Sequence, residues 1–221
     1  MQSAGIVLAA GRSLRLGEPK QLVTFGGEPL VHAAVRAARE GGCDPVCVVT
    51  GHARAEVEQA VAALNPVLVH NAEWQSGMGG SVRLGVRAMQ EAGRVVLLTC
   101  DQPAVDGAVI RSLMALHDGC GTPIVASRYS EALGVPAVFA RSRFAELMRL
   151  SDEEGAKGVI RKDLFSVTPY EFPDGAFDLD TPEDLLAWRS RPQQGGQRIR
   201  LKLRCDTSAK EQPPDDGGRN N

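Results

Sequence analysis

Gly5-Ile6-Val7-Leu8-Ala9-Ala10-Gly11-Arg12-Ser13-Leu14-Arg15-Leu16-Gly17-Glu18-Pro19-Lys20 starts as an apolar run and turns abruptly into a small, basic loop. Residues 5–10 carry no polar side chain, which predicts a strand buried on both faces. The small residues Ala9, Ala10 and Gly11 let a ligand come close to the backbone, whose N–H groups can cradle anionic oxygens. Arg12, Arg15 and Lys20 then put three cations within nine residues, the kind of charge needed to offset a triphosphate and a departing pyrophosphate. The spacing matches neither G-x-x-x-x-G-K-S/T nor G-x-G-x-x-G. A solvated basic loop between a strand and a helix would have the same composition.

Working outward, apolar runs of strand length alternate with helical patterns. Pro29 sits at a helix start, and Leu30, Val31, Ala34, Val35 and Ala38 form one stripe that ends at Gly41-Gly42. A second strand is read at residues 45–50, a second helix from Ala53 to Leu64, and a short third strand at residues 67–69. A glycine-rich loop from His70 to Gly80 leads to a helix from Ser81 to Ala92, and residues 95–100 form a fourth strand. Such a pattern predicts a doubly wound, mostly parallel α/β sheet of the Rossmann-like kind, in one domain covering residues 1–189. Ligands of these sheets bind beyond the carboxyl ends of the strands, where strand order reverses. An order of 3-2-1-4 would make the first and fourth strands neighbours and turn both of their loops toward one crevice.

The fourth strand stops at Asp101-Gln102-Pro103, so the Asp101 carboxylate would project into that crevice. Asp178 and Asp180 alternate across Leu179 and would point to one side of an extended segment. Mg²⁺ takes oxygen ligands, usually one or two carboxylates completed by water and substrate phosphates. Asp101 and Asp180 are a pair suited to that task. Asp180-Thr181-Pro182-Glu183 also reads as a helix start, with Asp or Thr as the cap, and Asp178 would then only stabilise the turn. His32, His52, His70 and His117 show no metal spacing. Cys100 reads as a small buried residue, Glu153-Glu154 as a solvated turn, and Trp74 as a loop anchor or a platform for a base.

Composition narrows the class. The chain has 221 residues, 25 Lys plus Arg and 27 Asp plus Glu, for a net charge of −2. That balance gives no electrostatic case for nucleic acid or an anionic membrane. No apolar run approaches the roughly 18 residues of a membrane span, and residues 1–10 lack the marks of a signal peptide. The five cysteines include no C-x-x-C pair, so a cytoplasmic, reduced protein is expected. Residues 190–221 hold seven Lys/Arg and four Asp/Glu and no aromatic residue. We expect a disordered tail there, although the alternating run Arg198-Ile199-Arg200-Leu201-Lys202-Leu203-Arg204 could pair as a strand with a partner.

The loop LAAGRSLRLGEPKQL resembles the signature of the nucleotidyltransferases that make cytidylyl and guanylyl forms of the molybdenum cofactor. The resemblance continues through Gly51, the Asn71-Ala72-Glu73-Trp74-Gln75-Ser76-Gly77-Met78-Gly79-Gly80-Ser81 loop, Thr99-Cys100-Asp101-Gln102-Pro103, residues 134–139, Gly155-Ala156-Lys157-Gly158 and residues 178–185. It implies a Mg²⁺-dependent transfer of CMP from CTP to the phosphate of molybdopterin, with release of pyrophosphate. Arg15, Lys20 and Asp101 would be catalytic, Asp101 and Asp180 metal ligands, and Asp178 on the acceptor side. Leu8, Ala9, Ala10, Gly11, Arg12, Lys20, Gly51, Asn71, Gly77, Met78 and Ser81 would bind the nucleotide. Ala9-Ala10-Gly11 and the Gly77-Met78 loop with Ser81 look like the cytidylyl branch. Lys157 stands where relatives carry Arg, which removes a bidentate fork. Alternatives are a guanylyltransferase, a transferase acting on a sugar phosphate, and a non-catalytic carrier that docks on a recipient molybdoenzyme.

Overall fold

The structure is a computed structural model that describes residues 2–13, 15–129 and 131–190. The charged extension read above as a disordered tail, with its 198–204 run, lies outside the described residues. In chain order the elements are β1 (Ser3–Ala9), the two-residue strands β2 (Thr24–Phe25) and β3 (Glu28–Pro29), α1 (Leu30–Glu40), β4 (Val46–Thr50), α2 (Arg54–Val61), β5 (Val67–His70) and α3 (Met78–Ala88). There follow β6 (Arg94–Thr99), α4 (Gly107–Cys120), β7 (Ile124–Tyr129), β8 (Ala132–Ala140), α5 (Phe144–Leu147), α6 (Lys157–Lys162), β9 (Val167–Glu171) and α7 (Pro182–Arg189).

Seven strands make one sheet in the order β5-β4-β1-β6-β8-β7-β9, while β2 and β3 pair as a small hairpin. Pairs β5–β4, β4–β1, β1–β6 and β7–β9 are parallel, and β8 runs against both of its neighbours. The sheet is mostly parallel and doubly wound, and the described residues fall within one compact unit, Met1–Arg191. No helix among the described residues is long and apolar enough to cross a membrane.

All seven residues of β1 are buried, because helices cover the sheet on both sides. Ile6 and Leu8 pack with Val82 and Val86 of α3 and with Phe139. Val7 and Ala9 face the other way, toward Val31 and Val35 of α1 and Ile110 and Leu113 of α4. Successive strand residues point to opposite faces, so a strand covered on both must be apolar throughout.

The structure corrects one boundary near the site. The helix expected from Ser81 to Ala92 is α3, Met78–Ala88, so it begins and ends earlier. Met78-Gly79-Gly80 reads as a loop because glycine disfavours helix, but tertiary packing overrides that preference. Gly77 enters the helix at φ +135°, a backbone conformation that only glycine adopts without strain. The Gly79 N–H donates to the Asp152 carbonyl at 2.9 Å, and a Cβ on Gly79 would run into the Ser151 carbonyl oxygen. Arg83 completes the join by donating to the Leu150 carbonyl at 2.6 Å and to the Asp152 carboxylate. The first turn of α3 is therefore docked on residues 150–154 through backbone contacts.

Two glycine substitutions separate helix propensity from packing. Gly79→Ala should gain up to about 1 kcal/mol of propensity and lose about 1–3 kcal/mol to overpacking against fixed backbone, so its urea midpoint should fall. Gly119 lies in α4 with nothing within 4 Å of an added Cβ. Gly119→Ala should raise the midpoint, by about 0.5–1 kcal/mol, when both variants are unfolded under circular dichroism. A rise for Gly79→Ala would show that the α3–loop contact is not rigid.

Candidate active site

Leu8 of β1 pairs with Thr99 of β6, so the chain leaves both strands at the same edge of the sheet. Strand order reverses here, with β4 and β5 to one side of β1 and β6 to the other. The gap beyond these strand ends is the switch point where such sheets bind ligands. Three segments far apart in sequence meet in it: the loop after β1, Asp101 after β6, and residues 178–180. The Leu179 N–H donates to the Asp101 carbonyl at 2.8 Å and draws the last of these alongside. The Leu179 side chain is buried with Val23 and Leu30, so the alternation turns Asp178 and Asp180 away from that core.

Lys20 sits between the carboxylates. Its Nζ lies 2.5 Å from Asp101 Oδ2 and 3.1 Å from Asp180 Oδ1, and Arg15 reaches Asp180 Oδ2 at 2.7 Å. Burial works against the Lys20 charge, but Asp101 and Asp180 outweigh it and hold the ammonium above its ordinary range. The other Asp101 oxygen, Oδ1, is buried and has no partner among the described residues. Asp178 stands at the rim, open in part to solvent. Partial burial, then the negative charges of Asp101 and Asp180, push its carboxyl up to about 6, moderated by Lys20 and Lys157.

The helix start at α7 does not consume Asp180. Thr181 is the cap, and its hydroxyl accepts from the Asp184 N–H at 3.2 Å. The Asp184 carboxylate accepts in return from the N–H groups of Thr181 and Asp180, at 2.8 and 3.1 Å. That reciprocal box satisfies the exposed amides of the first turn and leaves the Asp180 carboxylate to the cations.

Arg12, Ser13, Arg15, Lys20 and Asp180 line a cavity of about 290 Å³. Ser13 Oγ accepts from the Lys20 N–H at 2.8 Å and closes the loop on itself. The two alanines are buried, and Gly11 faces open space. Leu8 packs in the core, so a ligand could meet only its backbone. Gly51, Asn71, Gly77, Met78 and Ser81 do not line this cavity. Asn71 and Ser81 are buried and bonded to each other, Nδ2 to Oγ at 3.0 Å, which latches the end of β5 to α3. Met78 is half exposed. A Cβ on Gly51 would come within 2.6 Å of the Ala10 carbonyl and 2.7 Å of Trp74 Cβ. Trp74 also meets His52 edge-on, so it anchors its loop against the strand ends.

Several contributors were not singled out from the sequence. Gln21 lies buried under the loop, bonded to Ala9 and Gly11. Its one signal is its place next to Lys20. On the Asp178 side, the Tyr129 ring lies 5.8 Å from the Lys157 ammonium, measured to the ring centroid. Tyr129 comes from the end of β7, a strand that the periodicity reading did not reach. The Cys100 thiol is pushed up to about 12 by burial, then by Asp101, which removes it as a nucleophile.

The donors present fit a hard cation. Asp101 and Asp180 offer carboxylate oxygens, and one of them, Asp101 Oδ1, is buried without a partner. Among the described residues no three His, Cys, Asp or Glu side chains are grouped to hold a metal by themselves. A divalent ion here would complete its oxygen shell from phosphate and water.

Known proteins place the chain in a family. The MobA-like NTP transferase domain matches residues 5–167, a span that holds the loop and Asp101 and stops before Asp178. Nicotine blue oxidoreductase of Paenarthrobacter nicotinovorans is 31% identical over 194 residues, covering 82% of this chain and 93% of that protein. The bifunctional protein GlmU of Streptomyces avermitilis is 34% identical over 140 residues, 60% of this chain and 29% of GlmU, so the chain spans under a third of that relative. The crystal structure of Rv0371c from Mycobacterium tuberculosis H37Rv superposes with a TM-score of 0.73 at 31% identity, covering 87% of this chain and 100% of that one. The same protein has also been solved in complex with manganese. With the nucleotidyltransferase fold and these relatives in hand, the chain belongs to the MobA-like NTP transferase family.

Proposed function

We propose that this nucleotidyltransferase moves CMP from CTP to the phosphate of a molybdopterin-type acceptor in the cytoplasm, with Mg²⁺ as its ion. The observation that carries the reading is the meeting of Lys20, Asp101 and Asp180 at the mouth of the basic loop. An acceptor phosphate oxygen attacks the α-phosphorus of the nucleotide, the bond from that phosphorus to the bridging oxygen breaks, and pyrophosphate leaves. The acceptor oxygen is already ionised near neutrality, so no general base is needed, and catalysis is positioning and charge stabilisation.

Asp101 and Asp180 would hold the ion, which when bound supplies positive charge to the phosphate oxygens. Lys20 exchanges its carboxylates for phosphate as the nucleotide enters, with Arg15 beside it and Arg12 and Gly11 contributing from the loop. Asp178, Lys157 and Tyr129 flank the acceptor. One feature supports a pyrimidine: Ala9-Ala10-Gly11 resembles the cytidylyl branch. A recipient molybdoenzyme would take the product. The relative named an oxidoreductase favours a second reading, in which this fold carries redox chemistry. Release of pyrophosphate separates the two.

Thermal melts with Mg²⁺ and CTP, GTP, ATP or UTP test the base. A ligand at a hundred times its dissociation constant stabilises by about 2.7 kcal/mol, so CTP alone should raise the melting temperature. A shift with GTP alone would move the assignment to the guanylyl branch. Asp101→Asn should keep a melting temperature near that of the parent, because Lys20 retains Asp180. It should lower CTP-dependent pyrophosphate release by about 10²–10³-fold or more. Parental turnover by Asp101→Asn in Mg²⁺ would remove Asp101 from the chemistry.

A further inference from the structure

One buried polar side chain has no part in the reaction just described. Gln21 is 1% exposed, and its Nε2 donates to the carbonyl oxygens of Ala9 at 3.0 Å and Gly11 at 2.6 Å. Its Oε1 is buried with no partner among the described residues. The amide cannot turn over, since that would set Oε1 against two carbonyl oxygens and leave both N–H bonds unmade. A methionine would fill a similar volume with no orphaned acceptor, and an orphan of this kind is costly. Packing alone therefore does not account for a glutamine here, and its two donors do.

Both donors act on the loop. The peptides of this segment are trans, since the cis bonds among the described residues are at Asp44-Pro45 and Val135-Pro136. In a trans peptide the C=O and N–H point in opposite directions. Drawing the Ala9 and Gly11 carbonyls down to Gln21 therefore turns the N–H groups of Ala10 and Arg12 away from it. Between them, the Ala10 carbonyl accepts from the His52 N–H at 3.0 Å. Three consecutive carbonyls are thus held by protein donors. The N–H groups of Gly11 and Arg12 have no acceptor among the described residues. The Arg12 N–H is thus both turned away from Gln21 and unpaired, and successive backbone N–H groups in a turn conformation are the elements of an anion-binding concavity.

We propose that Gln21 is a positioning residue: it presets the loop so that its amides meet the phosphate oxygens of a nucleoside triphosphate without rearrangement. The inference rests on the nucleotide reading above. Amides fixed in advance bind phosphate more tightly because the ordering cost is not charged to binding. Gln21 touches no substrate and acts through the backbone of residues 9–12.

The test is Gln21→Met, compared with the parent by calorimetric titration of Mg²⁺–CTP and of cytidine, which has no phosphates. Losing two hydrogen bonds to the loop should weaken Mg²⁺–CTP binding about tenfold or more and leave cytidine binding within about twofold. A residue that only supports the core would lower the melting temperature and leave both affinities of the folded protein unchanged, and that result overturns the proposal. Amide hydrogen exchange at Ala10, Gly11 and Arg12 in the ligand-free protein gives a second readout. Faster exchange in the variant is expected, and unchanged rates with unchanged amide chemical shifts overturn the proposal. If the parent binds no triphosphate, the nucleotide reading fails, and the loop amides still decide whether Gln21 holds them. Should Gln21→Met not fold, Gln21→Asn, one methylene too short to reach both carbonyls, takes its place with the same expectations.

Discussion

An ammonium held between two carboxylates ties together three segments of this molecule that lie far apart in sequence. Lys20 comes from the loop after β1, Asp101 from the end of β6, and Asp180 from the approach to α7. The three groups are largely shielded from water, with side chains 19%, 15% and 33% exposed. A partly buried charge is costly without a partner, and Lys20 has two carboxylates while Asp180 has two cations. Asp101, Asp178 and Asp180 would otherwise place three negative charges at one strand end. The same arrangement gives the site its character. It gathers carboxylate oxygens and the lysine ammonium at one place.

The remainder of the fold keeps that cluster in place by backbone contacts more than by side-chain bulk. Gln21 and the His52 N–H hold the loop carbonyls from below. Leu179 couples Asp101 to the 178–180 segment through one hydrogen bond and one buried side chain. Gly51, beside Ala10, and Gly79, against Ser151, admit neighbours that a side chain would exclude. These are stiff contacts, and stiffness suits a reaction that depends on in-line geometry. Asn71 and Ser81 are bonded to each other, and the start of α3 is docked on residues 150–154.

Much of this was legible in the chain itself. The unbroken apolar runs at residues 5–10 and 95–100 call for strands covered on both faces, because a two-residue period leaves no exposed side. The change from Ala10-Gly11 to Arg12, Arg15 and Lys20 marks a backbone-lined, cationic loop, and Asp101 at a strand end marks an acidic partner. Periodicity was weakest where tertiary contacts override local preference. The glycines at the start of α3 look like loop residues until residues 150–154 are packed against them. The strand β7, beside the antiparallel β8, supplies Tyr129, which local pattern did not reveal. At the helix start near residue 180, Asp and Thr are both good caps, and the choice of Thr181 depends on the Asp184 carboxylate turning back to meet it.

Local chemistry therefore marked the elements up to residue 100 and the cationic loop, since hydrophobic period, small residues and charge are properties of neighbours in the chain. Which of those residues meet was settled only by the folded sheet. The adjacency of β1 and β6 follows from a crossover connection, and no window of sequence contains it. Lys20 and Asp180 are 160 positions apart, and nothing between them encodes a distance of 3.1 Å. Gln21 shows the same division in a single residue. Its amide can donate two hydrogen bonds anywhere, and its role arises because burial under the loop leaves two backbone carbonyls as the acceptors within its reach.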